Sequence, residues 1–183
     1  KDQVKAIFWH QGETNTNTVE GYQSYPANFD TLKKDWERVY TGVEKIYLFQ
    51  LHPGCGAKTE GYYNELREIQ TQLVDTYDNV EIMSTMGVSG HDGCHFSYQG
   101  YLEFAERIFP LVSRDFYGEQ PTSVITPPKL LSAKYVTENE LELLFDQAIA
   151  VEEKREVNGK TYFLKDQFFF KIELDSAFIS AMI

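Results

Sequence analysis

Basic residues are scarce in this 183-residue chain: Lys and Arg total 17 against 28 Asp and Glu, a formal net charge of −11 at pH 7. With no basic stripe to neutralise phosphates, nucleic acid and anionic membrane surfaces are excluded as principal partners. Long apolar runs are also missing, and no stretch approaches the roughly 20 residues that cross a bilayer as a helix. No signal-peptide pattern stands at the start. The chain opens Lys1-Asp2-Gln3 without a Met, which fits removal of something upstream. Cysteine is limited to Cys55 and Cys94, too few to fix a redox compartment. There is no internal repeat and no low-complexity tract. What the chain does hold is 42% hydrophobic and 15% aromatic residues, enough for a packed core and against disorder. The aromatics suit a core and sugar-stacking surfaces equally. The length allows one domain, or one and a half.

The first part of the chain alternates between two periods. Val4-Lys5-Ala6-Ile7-Phe8-Trp9 is a short apolar run followed by polar residues, and reads as a buried strand. Pro26 then opens a helix with Phe29, Leu32, Trp36 and Val39 at helical spacing. Lys45 to Leu51 is the next strand, and His52-Pro53-Gly54-Cys55-Gly56 is a loop by composition. Tyr62, Leu66, Ile69 and Leu73 mark a second helix, and Val80 to Thr85 a third strand. Leu102, Ala105, Ile108, Phe109 and Val112 mark a third helix, kinked by Pro110 and stopped near Gly118. Strand and helix in alternation imply a parallel sheet covered on both faces, with functional loops gathered at one end. The expected domain is 1–118, followed by a linker over 119–128 that includes Pro121, Pro127 and Pro128. Over 129–183 the period becomes two: Leu141, Leu143 and Phe145 alternate with Glu140, Glu142 and Leu144. Asn158-Gly159 between apolar runs predicts a hairpin, and 168–174 another strand. This β-rich part is short for a complete sandwich.

Chemistry concentrates after the first and third strands. Asp92 and His95 share one loop after the third. An Asp can fix an imidazole's tautomer while the imidazole takes a hydroxyl proton, the two supporting roles of a nucleophile triad. Alone, Asp-x-x-His is more often a polar turn. Gln11 and Gly12, at the end of the first strand, can offer an amide and a backbone N–H to an oxyanion. Two other readings stay open on the residues alone. His91, Asp92, Cys94 and His95 are all zinc-ligand types, crowded in one tight loop with no second ligand pair elsewhere. Glu13 and Asp92 could serve as a glycosidase acid–base pair.

Two blocks taken together carry a family resemblance. Trp9-His10-Gln11-Gly12-Glu13-Thr14-Asn15 resembles a characteristic block of the sialate O-acetylesterase-like carbohydrate esterases, in the SGNH (GDSL-like) hydrolase superfamily. Asp92-Gly93-Cys94-His95-Phe96 resembles that group's Asp-x-x-His block near the end of the catalytic domain, and 45–51, with Gln50 near its end, also fits. Either block alone is weak; in order and at this spacing they are fairly specific. The resemblance covers residues 1–117. It implies a flavodoxin-like parallel sheet, serine-type hydrolysis of acetyl esters on sugars, no metal or organic cofactor, and an extracytoplasmic setting. It casts His95 as general base and Asp92 as its orienting partner. Gln11, Gly12, Glu13 and Gln50 become the oxyanion and substrate-binding set, with Glu13 bracing its loop and Trp9 in the core.

One departure is large. The family's nucleophilic serine lies in a block upstream of the Gln-Gly-Glu block, and nothing before Val4 can hold it. Ser89 stands beside the Asp-His loop rather than across from it. The chain therefore reads as the latter part of a catalytic domain, inactive in isolation, followed by the start of a β domain; the alternative is a non-catalytic carbohydrate-binding or structural fragment. In a sheet ordered 2-1-3-4-5 it would supply strands three, four and five. Val4–Trp9, apolar on both faces, is then expected to pair with another chain or an N-terminal segment, or to leave an open edge. Cys55 and Cys94 follow neighbouring strands at one end of the sheet. A disulfide between them requires Cα atoms within about 4.4–6.8 Å.

Overall fold

A computed structural model describes residues 3–52, 62–92, 94–138, 140–150, 153–157, 160–163, 169–174 and 177–182. The chain divides into two compact units, Lys1–Pro127 and Pro128–Ile183. In the first, β1 (Ala6–Trp9) leads through a 3-10 turn (Glu13–Asn17) and α1 (Val19–Gln23) to α2 (Tyr25–Val39). Then come β2 (Lys45–Gln50), α3 (Tyr63–Thr76), β3 (Val80–Ser84) and α4 (Tyr98–Tyr117). The strands form one parallel sheet in the order β1-β2-β3, with Phe8 beside Tyr47 and Tyr47 beside Glu81. This is the expected α/β arrangement, a parallel sheet with helices on both faces.

The period of two along β2 decides which core each residue enters. Ile46 and Leu48 join Phe29, Leu66, Leu73 and Ile82 in a core on the side of α2 and α3. Tyr47 and Phe49 point the other way, into a core with Met83, Phe96, Phe104, Ile108 and Leu111. Ile46, Tyr47 and Leu48 are fully buried, each contributing on the order of 1.5–3 kcal/mol for an apolar side chain of this size. The buried Tyr47 hydroxyl offsets its desolvation by donating to Asp115 Oδ2 at 2.8 Å. Lys45 and Arg114 both pair with Glu81 above this core.

β1 is an edge strand among the described residues, bonded to β2 alone. An open edge here is one of the two outcomes expected of a strand apolar on both faces: Phe8 stacks on Tyr47 at 5.2 Å yet remains 49% exposed. Two expectations are corrected. Val39, placed on the buried face of the first long helix, is exposed at the end of α2. α4 buries Gly100, Phe104, Ile108 and Leu111, whereas Leu102, Ala105 and Phe109 face out. The helix carries two apolar stripes, and only the one with Phe104 meets the sheet. Pro110 lies inside α4; the bond it forfeits is to the carbonyl of Glu106, an exposed residue. The helix stops at Gly118 in the left-handed conformation, as expected.

The second unit consists of antiparallel pairs. β4 (Leu130–Thr137) pairs with β5 (Glu140–Phe145), β6 (Lys154–Val157) with β7 (Lys160–Phe163), and β8 (Phe169–Leu174) with β9 (Ala177–Met182). Along β5 the alternation is as read, with Leu141, Leu143 and Phe145 the less exposed. Val157 pairs with Lys160 across the predicted hairpin, whose Asn158 and Gly159 lie outside the described residues.

Candidate active site

Three parallel strands end on the same side of the sheet, and the loops that leave them hold the predicted residues. Beyond β3 the chain runs from Thr85 to Ser97 before α4 begins. Ser97 caps that helix by accepting the Gly100 N–H at 3.4 Å, and its own N–H donates to the Gly90 carbonyl at 2.6 Å. His91 and Phe96 form an isolated antiparallel bridge. The loop is thus pinched at its base, and Asp92, Cys94 and His95 stand at its tip.

At that tip Asp92 is an organising acceptor. Its Oδ1 takes the backbone N–H of His95 at 2.7 Å and of Cys94 at 2.9 Å, while Oδ2 faces His95 Nδ1 at 3.3 Å. Its own N–H donates to the His95 carbonyl at 3.1 Å. The backbone bonds from His95 and Cys94, followed by the imidazole contact, hold the Asp92 carboxyl down at about 2. An ionised Asp92 so placed selects the Nδ1–H form of His95 and leaves Nε2 as the base. Both side chains are open to solvent, 82% exposed for His95 and 66% for Asp92. The Cys94 sulfur lies 3.8 Å from Nε2. Cys94 is not a free thiol, and Cys55 lies outside the described residues.

The loop after β1 is bound to α2 and α3. The Gln11 carbonyl accepts the Tyr25 hydroxyl at 3.2 Å and the Gln70 amide at 3.3 Å. The Gln11 side-chain amide donates to Asn15 Oδ1 at 2.8 Å, one of its two N–H groups. Gly12 is buried at φ +145°, and a Cβ there would meet Leu66 Cδ2 at 3.0 Å. Glu13 Oε1 lies 3.7 Å from His10 Nε2, too far for a hydrogen bond. Trp9 packs edge-on against Trp36 in the core on the α2 side.

Gln50 does not belong to this set. Its amide donates to the Arg67 carbonyl at 3.2 Å and to Thr71 Oγ1 at 3.1 Å, so both N–H groups are spent on α3. As the last residue of β2 it follows the alternation of the strand and points to the face opposite Phe49. Its carbonyl accepts the Thr85 hydroxyl at 2.7 Å, so it ties β2 to the exit of β3.

Sequence reasoning missed four contributors. His10 is wedged between Phe49, Phe96 and Phe104, and this burial lowers its pKa against the opposing pull of Glu13. Phe96 touches His10, His52 and His91 and so gathers all three strand-end loops. Glu103 and Arg107 on α4 bond to the loop from below. The spacing of the last two, acid then base four residues on, was visible but identical to an ordinary surface pair. Ser89, three residues before Asp92, donates its hydroxyl to Glu103 Oε2 at 3.1 Å.

Residues 1–113 match the family described as carbohydrate esterase, sialic acid-specific acetylesterase. No curated protein matches the chain significantly. Among solved structures, an X-ray structure of a protein from Arabidopsis thaliana is similar with a TM-score of 0.54 and 22% identity, over 62% of this chain and 45% of that one. The likeness is one of fold, and the chain spans less than half the length of the Arabidopsis protein.

Proposed function

Because the chain belongs to the sialic acid-specific acetylesterase family of carbohydrate esterases, we propose that His95 is the general base and Asp92 its orienting carboxylate in a serine-type hydrolase that removes acetyl groups from sugar hydroxyls. The reading rests on the Asp92–His95 contact, with its acid fixed by two backbone N–H groups at the C-terminal end of a parallel sheet. In this scheme the serine hydroxyl gives its proton to His95 Nε2 as its oxygen attacks the acetyl carbonyl. The protonated imidazole then returns the proton to the departing sugar oxygen, and water releases acetate by the same route in reverse. Gln11 and Gly12 are the candidate donors to the oxyanion. Gln50, held by α3, is not proposed for that role.

The serine itself is proposed to lie upstream of Lys1. Among the described residues no hydroxyl stands within hydrogen-bond distance of His95, whose partners are Asp92 and Cys94. The resemblance also puts the nucleophile before the Gln-Gly-Glu block. An extracytoplasmic location is proposed with it, on the resemblance alone.

Hydrolysis of 4-nitrophenyl acetate tests this reading. The 183-residue chain alone is expected to match its His95→Ala control. A chain extended upstream should turn the ester over, and lose nearly all turnover with His95→Ala. Turnover by the short chain well above its control would overturn the upstream serine. An extended chain whose turnover is indifferent to His95→Ala would overturn the dyad, and one with no turnover at all would favour a non-catalytic sugar-binding role.

A further inference from the structure

Asp92 and His95 are held by very little of their own surface. Both side chains are largely exposed, so their geometry depends on whatever fixes the backbone of 85–97. The far end of that segment is secured by Phe96 and the Ser97 cap. The near end has few apolar anchors: Thr85 is buried and bonded to the Gln50 carbonyl, but beyond it Met86 is 49% exposed and Ser89 is exposed, and Val88 is the one buried apolar side chain.

Polar groups from α4 supply the missing hold. Arg107 Nη1 donates to the Ser84 carbonyl at 3.2 Å and to the Met86 carbonyl at 2.7 Å. Arg107 Nη2 donates to Glu103 Oε1. Glu103 Oε2 in turn accepts the Ser89 N–H at 3.0 Å and the Ser89 hydroxyl at 3.1 Å. The guanidinium grips the end of β3 while the carboxylate grips the residue before Gly90. The Gly90 carbonyl then accepts Ser97 N–H, which closes the ring that carries Asp92 and His95. The loop also rests closely on the first turn of the helix, where a Cβ on Gly100 would meet the Ser89 carbonyl at 3.0 Å and the Gly90 carbonyl at 3.1 Å.

We propose that Glu103 and Arg107 are positioning residues for the Asp92–His95 dyad, acting through Ser89 and the loop backbone. The proposal rests on the dyad reading above. An exposed i,i+4 pair ordinarily contributes only a few tenths of a kcal/mol and could be lost without notice. This pair is different because three of its bonds end on Met86 or Ser89 in the loop and a fourth on Ser84 at the end of β3. A loosened near end would widen an Asp92–His95 contact that at 3.3 Å is already long for a hydrogen bond.

The readout is the tautomer of His95, followed in the 183-residue chain by imidazole 15N NMR above the ring's titration. Asp92→Asn sets the scale by moving His95 away from the Nδ1–H form. Glu103→Gln, Arg107→Gln and Ser89→Ala should each move it in the same direction, while amide exchange in β2 stays within about twofold of the parent. The three together separate geometry from charge. Glu103→Gln removes a negative charge, Arg107→Gln a positive one, and Ser89→Ala none, so a through-space charge effect would change sign between the first two and vanish in the third. If one charge variant fails to fold, Ser89→Ala and the other decide. A response to Asp92→Asn with none to the α4 and Ser89 variants would overturn the positioning role and leave the dyad standing. No response to Asp92→Asn would overturn the dyad and the positioning role with it.

Discussion

The rings of His10 and Phe96 lie 5.9 Å apart, and through them the loop after β1 meets the loop after β3. The two blocks that resemble one esterase family are separated by about half of the first unit in sequence. In space they share one aromatic cluster, in which Phe96 also lies 4.6 Å from Phe104 and 5.8 Å from His52. The loop after β1 and the loop that carries Asp92 and His95 are therefore neighbours at one end of the sheet, with Phe96 as the common contact.

Phe96→Ala should accordingly damage more than a local contact. The side chain is only 8% exposed, and truncating a buried Phe typically costs about 3–5 kcal/mol. Urea unfolding should show a loss in that range, falling below about 1.5 kcal/mol for Phe96→Leu. A loss under about 1 kcal/mol for the Ala variant would mean that the loop is held without its aromatic anchor.

Gly12→Ala addresses the loop after β1. Gly12 sits at φ +145°, where an L side chain is strained, and the new methyl would approach Leu66 Cδ2 to 3.0 Å. Strain of this kind costs on the order of 1–3 kcal/mol. A thermal melt should show the loss, and Gly12→Ala should cost as much again when made in a Leu66→Ala background, because that background relieves the contact and not the backbone. No further loss on that background would assign the effect to crowding alone.

Much of this architecture was legible because burial imposes a period. Ile46 to Phe49 had to alternate between two cores, and the run of apolar residues showed it. The face of α4 was harder to read. Leu102, Ala105 and Phe109 have as good a helical spacing as Gly100, Phe104 and Ile108, and only the sheet decides between them. Asp92 and His95 were readable because their contact is local, three residues apart. Gln50 was misplaced for the opposite reason: its partners Arg67 and Thr71 lie on another element, and no pattern within β2 announces them. The same holds for Ser89, whose hydroxyl is engaged by Glu103 fourteen residues away.

Acid should open the Asp92 loop in a defined window. The carboxyl is held down at about 2 from an ordinary 3.8, chiefly by the backbone N–H groups of His95 and Cys94. A depressed folded-state value means that the opened loop binds the proton more readily. The ordering that Asp92 provides is therefore complete above about 3.8 and is lost as pH falls through about 2. Because Asp92 is exposed, the effect belongs to the loop and adds little to global stability. In 1H–15N spectra the His95 and Cys94 amides should titrate together with a midpoint near about 2, while amides of β2 stay still until the whole fold responds. Asp92→Asn should abolish that titration, and Asp92→Ala, which removes the acceptor oxygen, should leave the two amides at the positions of the opened loop. A midpoint near 3.8 in the parent chain would mean that the two backbone bonds do not form in solution, and His95 would then lack the fixed acid on which its role as a base depends.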